Sequence, residues 1–433
     1  MVQFTQQVLY GENLDRNHPP ASSEDAKVRF ISTQGEAFGM NERQLSTHTL
    51  LVGSTGCGKT SVVCTVLDQL LPSLGSDDLL ILFDADGGYA KRYYDPRNPR
   101  HILMSLSPSD VQRTYVWNIF GEMRDAGGRL APDYAVTAHE LASAMMYGRE
   151  NRQQPFFSDA AQHLISDQLI ALAEDDGKHT EDFLSVMRSN QQANWLTLTQ
   201  RKEFRAHQLY FGRGEKLTSQ ALGVFGEMNA ALQETFGSFP KGNGRGECSM
   251  RQLVREKGGK VIFLEYDIAL GESQKPLLRL WFDLGIKFAL GSRSSGQVYF
   301  VCDELALLPD LRHLSDALNF GRSKGVRMVC ALQSINQFHD AYGEKADSIL
   351  AGFCSCFAFR CYDSASRDYI AKRFGKHYVL LTTRSAGGEL THLPREGSVA
   401  EDWDIRALHT GEALIDLAGD VTHLFRFQFR PHL

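Results

Sequence analysis

No stretch of the 433 residues is apolar and long enough to cross a bilayer. The most apolar helical pattern, Leu277 to Leu290, is broken by Arg279, Asp283 and Lys287. The first twenty residues contain no apolar core of the kind a secretion signal needs. Low-complexity tracts and short internal repeats are absent too. With 42% hydrophobic and 23% charged residues, the composition predicts an ordered globular chain of two or three domains. Paired C-x-x-C knuckles are missing from the eight cysteines. Cys354, Cys356 and Cys361 lie close together without a matching His/Cys pair, and Cys354 and Cys356 fall on the same face of a predicted strand. A zinc site is therefore not expected, and the thiols read as reduced and buried, as in the cytosol. Positive charge is in deficit: 46 Lys and Arg stand against 52 Asp and Glu, a net charge of −6. That excludes a surface coated in basic residues, although it leaves open a channel whose positive field is local.

What is present begins with Gly53-Ser54-Thr55-Gly56-Cys57-Gly58-Lys59-Thr60, a complete G-x-x-x-x-G-K-[ST] phosphate loop. The run Thr47 to Val52 before it reads as a buried strand, and Ser61 to Leu71 after it has helical apolar spacing. The glycines let successive backbone N–H groups turn inward around a phosphate, and the helix N-terminus, with Ser61 in its first turn, adds favourable partial charge. Lys59 is expected to reach the β- and γ-phosphates of ATP, and Thr60 to bind Mg²⁺ through its hydroxyl. Cys57 lies in the loop, where the helix N-terminus is expected to lower its pKa.

Further along, Gln297 to Cys302 is a hydrophobic strand that ends in Asp303-Glu304. In a phosphate-loop ATPase the aspartate orients Mg²⁺ and the glutamate polarises the attacking water. Val326 to Leu332 is another strand and ends in Gln333, an amide suited to sensing the γ-phosphate or placing the water. Asp84 and Asp86 also follow a strand, Leu79 to Asp84, where an Asx-turn and a functional role are both open. A trans-acting arginine has three candidates in Arg322, Arg360 and Arg373. The basic stretch Lys241, Arg245, Arg251, Arg255, Lys257 and Lys260 is a place for phosphate contacts or a solvated charged face.

The spacing of elements predicts an α/β fold: a P-loop, RecA-like ATPase domain with a mostly parallel sheet, interrupted by an all-α insertion. Residues 1–27 form an N-terminal extension, 28–123 the first part of the nucleotide-binding domain, 124–245 the all-α domain and 246–433 the second part. Helical patterns at Ala138 to Tyr147, Phe157 to Ala173 and Leu217 to Phe236 fill the insertion. Strand-like runs at Lys260 to Tyr266, Ser355 to Arg360, Ala413 to Leu417 and Val421 to Phe429 complete the sheet.

In this order the segments resemble the hexameric coupling proteins of bacterial conjugation and type IV secretion, the TraD/TrwB group of the FtsK/HerA superfamily. The likeness runs from about residue 28 to the C-terminus. It includes Leu82-Phe83-Asp84-Ala85-Asp86-Gly87-Gly88-Tyr89 with Tyr93-Tyr94-Asp95-Pro96, Val116-Trp117-Asn118-Ile119-Phe120, Gln154-Pro155-Phe156-Phe157 and Tyr342-Gly343-Glu344-Lys345-Ala346. The resemblance implies ATP hydrolysis with Lys59, Glu304 and Gln333 as catalytic residues and Mg²⁺ held at Thr60 and Asp303. It implies a homohexamer that moves DNA without regard to sequence, with a relaxase and channel proteins as partners. Arg360 falls where the family carries its trans-acting arginine.

Two departures shape the expectation. Coupling proteins of this group carry N-terminal transmembrane helices, yet fewer than fifty residues, none membrane-like, precede the phosphate-loop strand. The extended acidic tail of some relatives is also missing. The expected location is cytoplasmic, or at the inner membrane through a partner or an anchor not carried here. Alternatives are a soluble motor for packaging, repair or defence, and a docking protein for secretion substrates switched by nucleotide.

Overall fold

Four apolar runs, Thr49–Val52, Leu79–Asp84, Val298–Cys302 and Val326–Leu332, are buried at every position. Continuous burial of this kind belongs to strands of a parallel sheet covered on both faces. The structure, a computed structural model, describes residues 3–149, 155–189, 218–240, 244–292, 295–384, 390–418 and 421–428. Gln154, Leu217, Lys241 and Phe429, named above, lie outside the described residues.

The chain divides into two compact units, Met1–Ala85 with Ser295–Leu433, and Asp86–Ser294. In the first, the strands lie side by side in the order Leu14–Asp15, Thr422–Arg426, Glu412–Leu417, Ser355–Phe359, Thr49–Val52, Val326–Leu332, Val298–Cys302 and Leu79–Asp84. The five from Ser355–Phe359 onward pair in parallel. Glu412–Leu417 joins them antiparallel. Register decides what the carboxyl edge holds. Val52 lies opposite Leu332 and Ala358, and Cys302 lies opposite Cys330 and Phe83. Gly53, Asp303, Gln333 and Arg360 therefore leave the sheet along one edge, where open α/β sheets bind ligands.

Helix Lys59–Ser73 starts two residues earlier than its apolar spacing predicts and buries Val62, Val63, Val66, Leu67 and Leu70. Val28–Ile31 and Ala37–Met40 form an antiparallel pair. Its Phe30 and Phe38 rings stack with centroids 4.9 Å apart, and Phe38 meets Phe425 edge-on at 4.8 Å. These rings tie the start of the unit to its last strand, a geometry worth about 0.5–1.5 kcal/mol per pair beyond burial.

Residues 3–15, read from sequence as part of an extension, contribute strands to this unit. Gln3–Gly11 pairs antiparallel with Lys376–Arg384, which pairs in turn with Leu390–Ser398. This three-stranded sheet gave no clear signal, because Leu390–Ser398 is mostly exposed and carries Pro394. Proline is tolerated on such an edge strand, where no ladder bond is lost.

The second unit carries the parallel pair His101–Ser105 and Lys260–Glu265. Its helices include Tyr134–Met145, Phe156–Ala173, Thr180–Arg188, Ser219–Phe236 and Lys275–Gly291. Two of the three charges that interrupt the last of these point at the first. Arg279 donates to Ala144 O at 2.6 Å and covers the Tyr147 ring, while Lys287 pairs with Glu140. Glu122, wholly buried, accepts from Trp117 Nε1, Met250 N and Arg251 N at 2.7, 2.7 and 2.9 Å. Those three donors satisfy a buried carboxyl that would otherwise be costly.

Candidate nucleotide site

Geometry around Gly53 to Ser61 explains its residue types. The backbone N–H groups of Gly53 and Ser54 donate to Leu332 O at 3.1 Å and Arg360 O at 2.9 Å, so the loop rises between two strand ends. A Cβ on Gly53 would lie 2.6 Å from Phe359 Cβ and 2.7 Å from Cys57 Sγ. Gly58 has φ +115°, and Gly411 Cα stands 3.2 Å from where its Cβ would be. Only glycine fits either position without displacing backbone.

Gly58 is also the N-cap of helix Lys59–Ser73, and no side chain caps it. The helix N–H groups are thus left for an anion. The Lys59 ammonium is buried and bonds to Gly53 O and, at 3.2 Å, to Ser54 O, which holds the charge over the loop. Thr60 is exposed and Ser61 is 8% exposed. An exposed hydroxyl, a buried ammonium and an uncapped helix make a donor set that fits a polyphosphate with its cation.

Across the loop stand the acids. Asp303 N donates to Phe83 O at 3.2 Å, and its side chain is partly exposed. Glu304 is 4% exposed, and its carboxylate accepts from Gln333 N at 3.1 Å and Ala306 N at 3.4 Å. Burial raises its pKa to about 7, with Lys59 pulling the other way. A base near neutrality has the proton affinity that general-base work at physiological pH needs. The side chain of Gln333 accepts from Thr55 Oγ1 at 2.9 Å.

Two expectations about the cysteines need correction. Cys57 is 1% exposed, and burial pushes its thiol above the usual range even though Lys59 opposes it, so it is not an activated cysteine. Cys354 and Cys356 do not share a strand face: Cys354 precedes strand Ser355–Phe359 and is exposed, whereas Cys356 is buried. Among the described residues no cluster of three or more metal-ligating side chains occurs. Asp86 serves an Asx-turn, accepting from Gly88 N at 2.9 Å, while Asp84 is fully buried.

The arginines separate clearly. Arg373 donates to Phe353 O and Cys354 O at 2.8 and 3.0 Å and faces Asp416, which fixes it inside its own chain. Arg360 stands beside the loop of its own chain, with its guanidinium 5.2 Å from the Tyr362 ring centroid. Arg322 is exposed, and its guanidinium makes no ion pair among the described residues. The basic stretch is not a continuous charged face either. Arg251 is committed to Glu122 and Asp133, Lys257 is 2% exposed, Lys260 pairs with Glu256, and Arg245 donates to the Tyr94 hydroxyl.

Sequence reasoning missed a second wall of the loop. Gly411 N donates to Cys57 O at 2.9 Å, Thr410 Oγ1 lies 3.5 Å from Gly56 O, and Tyr362 N donates to Ser54 Oγ at 3.0 Å. The only local signal was the glycine itself, at φ +82° before strand Glu412–Leu417. Its meaning depends on residues 354 positions away.

Comparison with known proteins gives a consistent picture. Residues 36–408 match the family described as the type IV secretion-system coupling protein DNA-binding domain. Coupling protein TraD of Escherichia coli (strain K12) is 25% identical over 71% of this chain and 41% of TraD. Conjugal transfer protein TraG of Agrobacterium fabrum (strain C58 / ATCC 33970) is 32% identical over 30% of this chain and 21% of TraG. The chain thus spans less than half the length of either relative. Plasmid coupling protein TrwB, solved in complex with ADP and Mg²⁺, superposes with a TM-score of 0.78 at 19% identity, covering 99% of this chain and 95% of that one. TrwB with the non-hydrolysable GTP analogue GDPNP gives 0.77 at 19% identity, over 99% and 96%. These likenesses establish an α/β phosphate-loop ATPase fold with a helical insertion.

Proposed function

The chain belongs to the family of type IV secretion-system coupling proteins, and from that premise we propose that it hydrolyses ATP to move DNA, as the hexameric motor of a conjugative or type IV secretion system. The observation that carries the hydrolysis in this reading is Glu304, a buried carboxylate that accepts from the backbone N–H of Gln333, the residue joined to the phosphate loop through Thr55.

The loop N–H groups and Lys59 would hold the β- and γ-phosphates, replacing the Gly53 and Ser54 carbonyls as partners of the ammonium. Thr60 and, through water, Asp303 would hold Mg²⁺. When bound, Mg²⁺ supplies charge that offsets the phosphates. Glu304 takes a proton from the attacking water on the carboxylate oxygens that now accept from Gln333 N and Ala306 N. Gln333, bonded to the loop through Thr55 Oγ1, would meet the γ-phosphate. For the arginine that serves a neighbouring subunit we favour Arg322, which is exposed and uncommitted, over Arg360, which sits at its own loop. The helical segment 124–245 we assign to a separate domain. Grip on DNA would come from contacts to phosphates, independent of sequence and weakened by salt. A relaxase and channel proteins would be its partners, and contact with the inner membrane would pass through them.

The test is ATP hydrolysis with and without single- and double-stranded DNA, at low salt and several protein concentrations, with Glu304→Gln as control. Turnover that DNA stimulates, that rises cooperatively with protein concentration and that vanishes in the variant is expected. Turnover dependent on Glu304 but indifferent to DNA would shift the reading to a nucleotide-switched docking protein.

A further inference from the structure

We propose that the Thr55 hydroxyl positions the Gln333 amide so that Gln333 tells a nucleoside triphosphate from a diphosphate. The proposal rests on the ATPase reading above. Several contacts that anchor this loop use backbone on at least one side: Gly53 and Ser54 bond to Leu332 O and Arg360 O, and Cys57 O accepts from Gly411 N. Thr55 differs. Its side chain reaches the side chain of Gln333, at the end of the adjacent strand, with Oγ1 2.9 Å from Oε1.

Gln333 is held at two points. Its backbone N–H donates to Glu304 Oε2 at 3.1 Å, and its side-chain oxygen accepts from Thr55. A primary amide has two N–H donors and one carbonyl oxygen. The Thr55 bond uses a lone pair of the oxygen and leaves both N–H donors unspent. Those donors suit the oxygens of a γ-phosphate. Both residues are exposed, so an incoming nucleotide can reach them.

Thr55 acts through Gln333 and is a positioning residue. Its hydroxyl should matter for the third phosphate and not for the first two. Thr55→Val keeps the branched shape and removes the donor, and Thr55→Ser keeps the donor.

The experiment measures binding of ADP and of a non-hydrolysable ATP analogue, each with Mg²⁺, to the full chain and its variants, without turnover. Thr55→Val is expected to lose about tenfold in preference for the triphosphate while binding ADP like the parent, the size of one hydrogen bond to a charged group. Thr55→Ser keeps the preference. Gln333→Ala loses a similar amount, and the double variant loses no more, because one interaction is removed twice. Equal loss of ADP and analogue in Thr55→Val would mean a general role in loop shape and would overturn the proposal, as would an unchanged preference. A parent that binds neither nucleotide would remove the ATPase reading and this inference together.

Discussion

Glu304 Oε2 accepts the backbone N–H of Gln333 at 3.1 Å, so the residue that ends one strand fixes the carboxylate that ends its neighbour. The bond places a buried acid, with its pKa raised to about 7, against the residue tied to the phosphate loop.

A pH profile follows from it. Only the carboxylate form of Glu304 accepts a proton, so hydrolysis should rise with pH through a midpoint near 7. The folded pKa lies above the ordinary glutamate value of 4.5. Between these values the native state binds more protons than the unfolded state, so this group lowers stability as pH rises through the window. Glu304→Gln should therefore abolish turnover and raise stability at pH 8 by roughly 1 to 2 kcal/mol. Thermal unfolding at pH 8 and pH 5 checks the sign: the gain should shrink toward pH 5.

Gly58→Ala tests the cradle. At φ +115° and with Gly411 Cα 3.2 Å from the new methyl, the substitution should cost about 1 to 3 kcal/mol of stability. It should also weaken ADP binding, whereas Gly35→Ala, at φ +87° with nothing within 4 Å, should affect stability alone. Denaturant titration with nucleotide-binding measurements separates the two effects.

Thiol labelling reports burial directly. Seven of the eight cysteines are buried and Cys354 is exposed. A maleimide at pH 7 should modify Cys354 quickly in the native protein and all eight in denaturant, read by intact mass. Rapid labelling of Cys57 would contradict its burial and its raised pKa.

His48 makes the fold acid-sensitive. It sits at φ +56° and 2% exposed, and neither ring nitrogen has a hydrogen-bond partner among the described residues. Burial first and then Arg327 lower its pKa to about 4 from 6.5. A histidine depressed in the folded state leaves the unfolded chain with more protons between those values, so stability is lost as pH falls from 6.5 toward 4. Asparagine tolerates the left-handed backbone. His48→Asn should flatten that part of the curve, which chemical denaturation at pH 7 and pH 5 would reveal.

Much was legible locally because it depends on local rules. Leu79–Asp84, Val298–Cys302 and Val326–Leu332 lie where apolar runs bounded by polar residues put them. The loop from Gly53 to Thr60 declares itself by residue type. Leu390–Ser398 did not, since an exposed edge strand has little burial to write into its pattern. The same limit applied to Arg251 and Lys257. Their charge suggested solvent or phosphate, and only packing showed one bonded to Glu122 and the other buried.

The sequence by itself determined the glycines and lysine of the loop and the polar residues that follow the strands, because a Gly-rich loop between strand and helix can present N–H groups in few ways. Tertiary structure alone decided that Thr55, Glu304 and Gln333 form one bonded set, that Gly411 closes the loop and that Arg373 is not free to serve a neighbour. The reason is register. A parallel sheet brings strand ends from residues 52, 302, 332 and 359 to one edge, and no local pattern encodes which strand lies beside which.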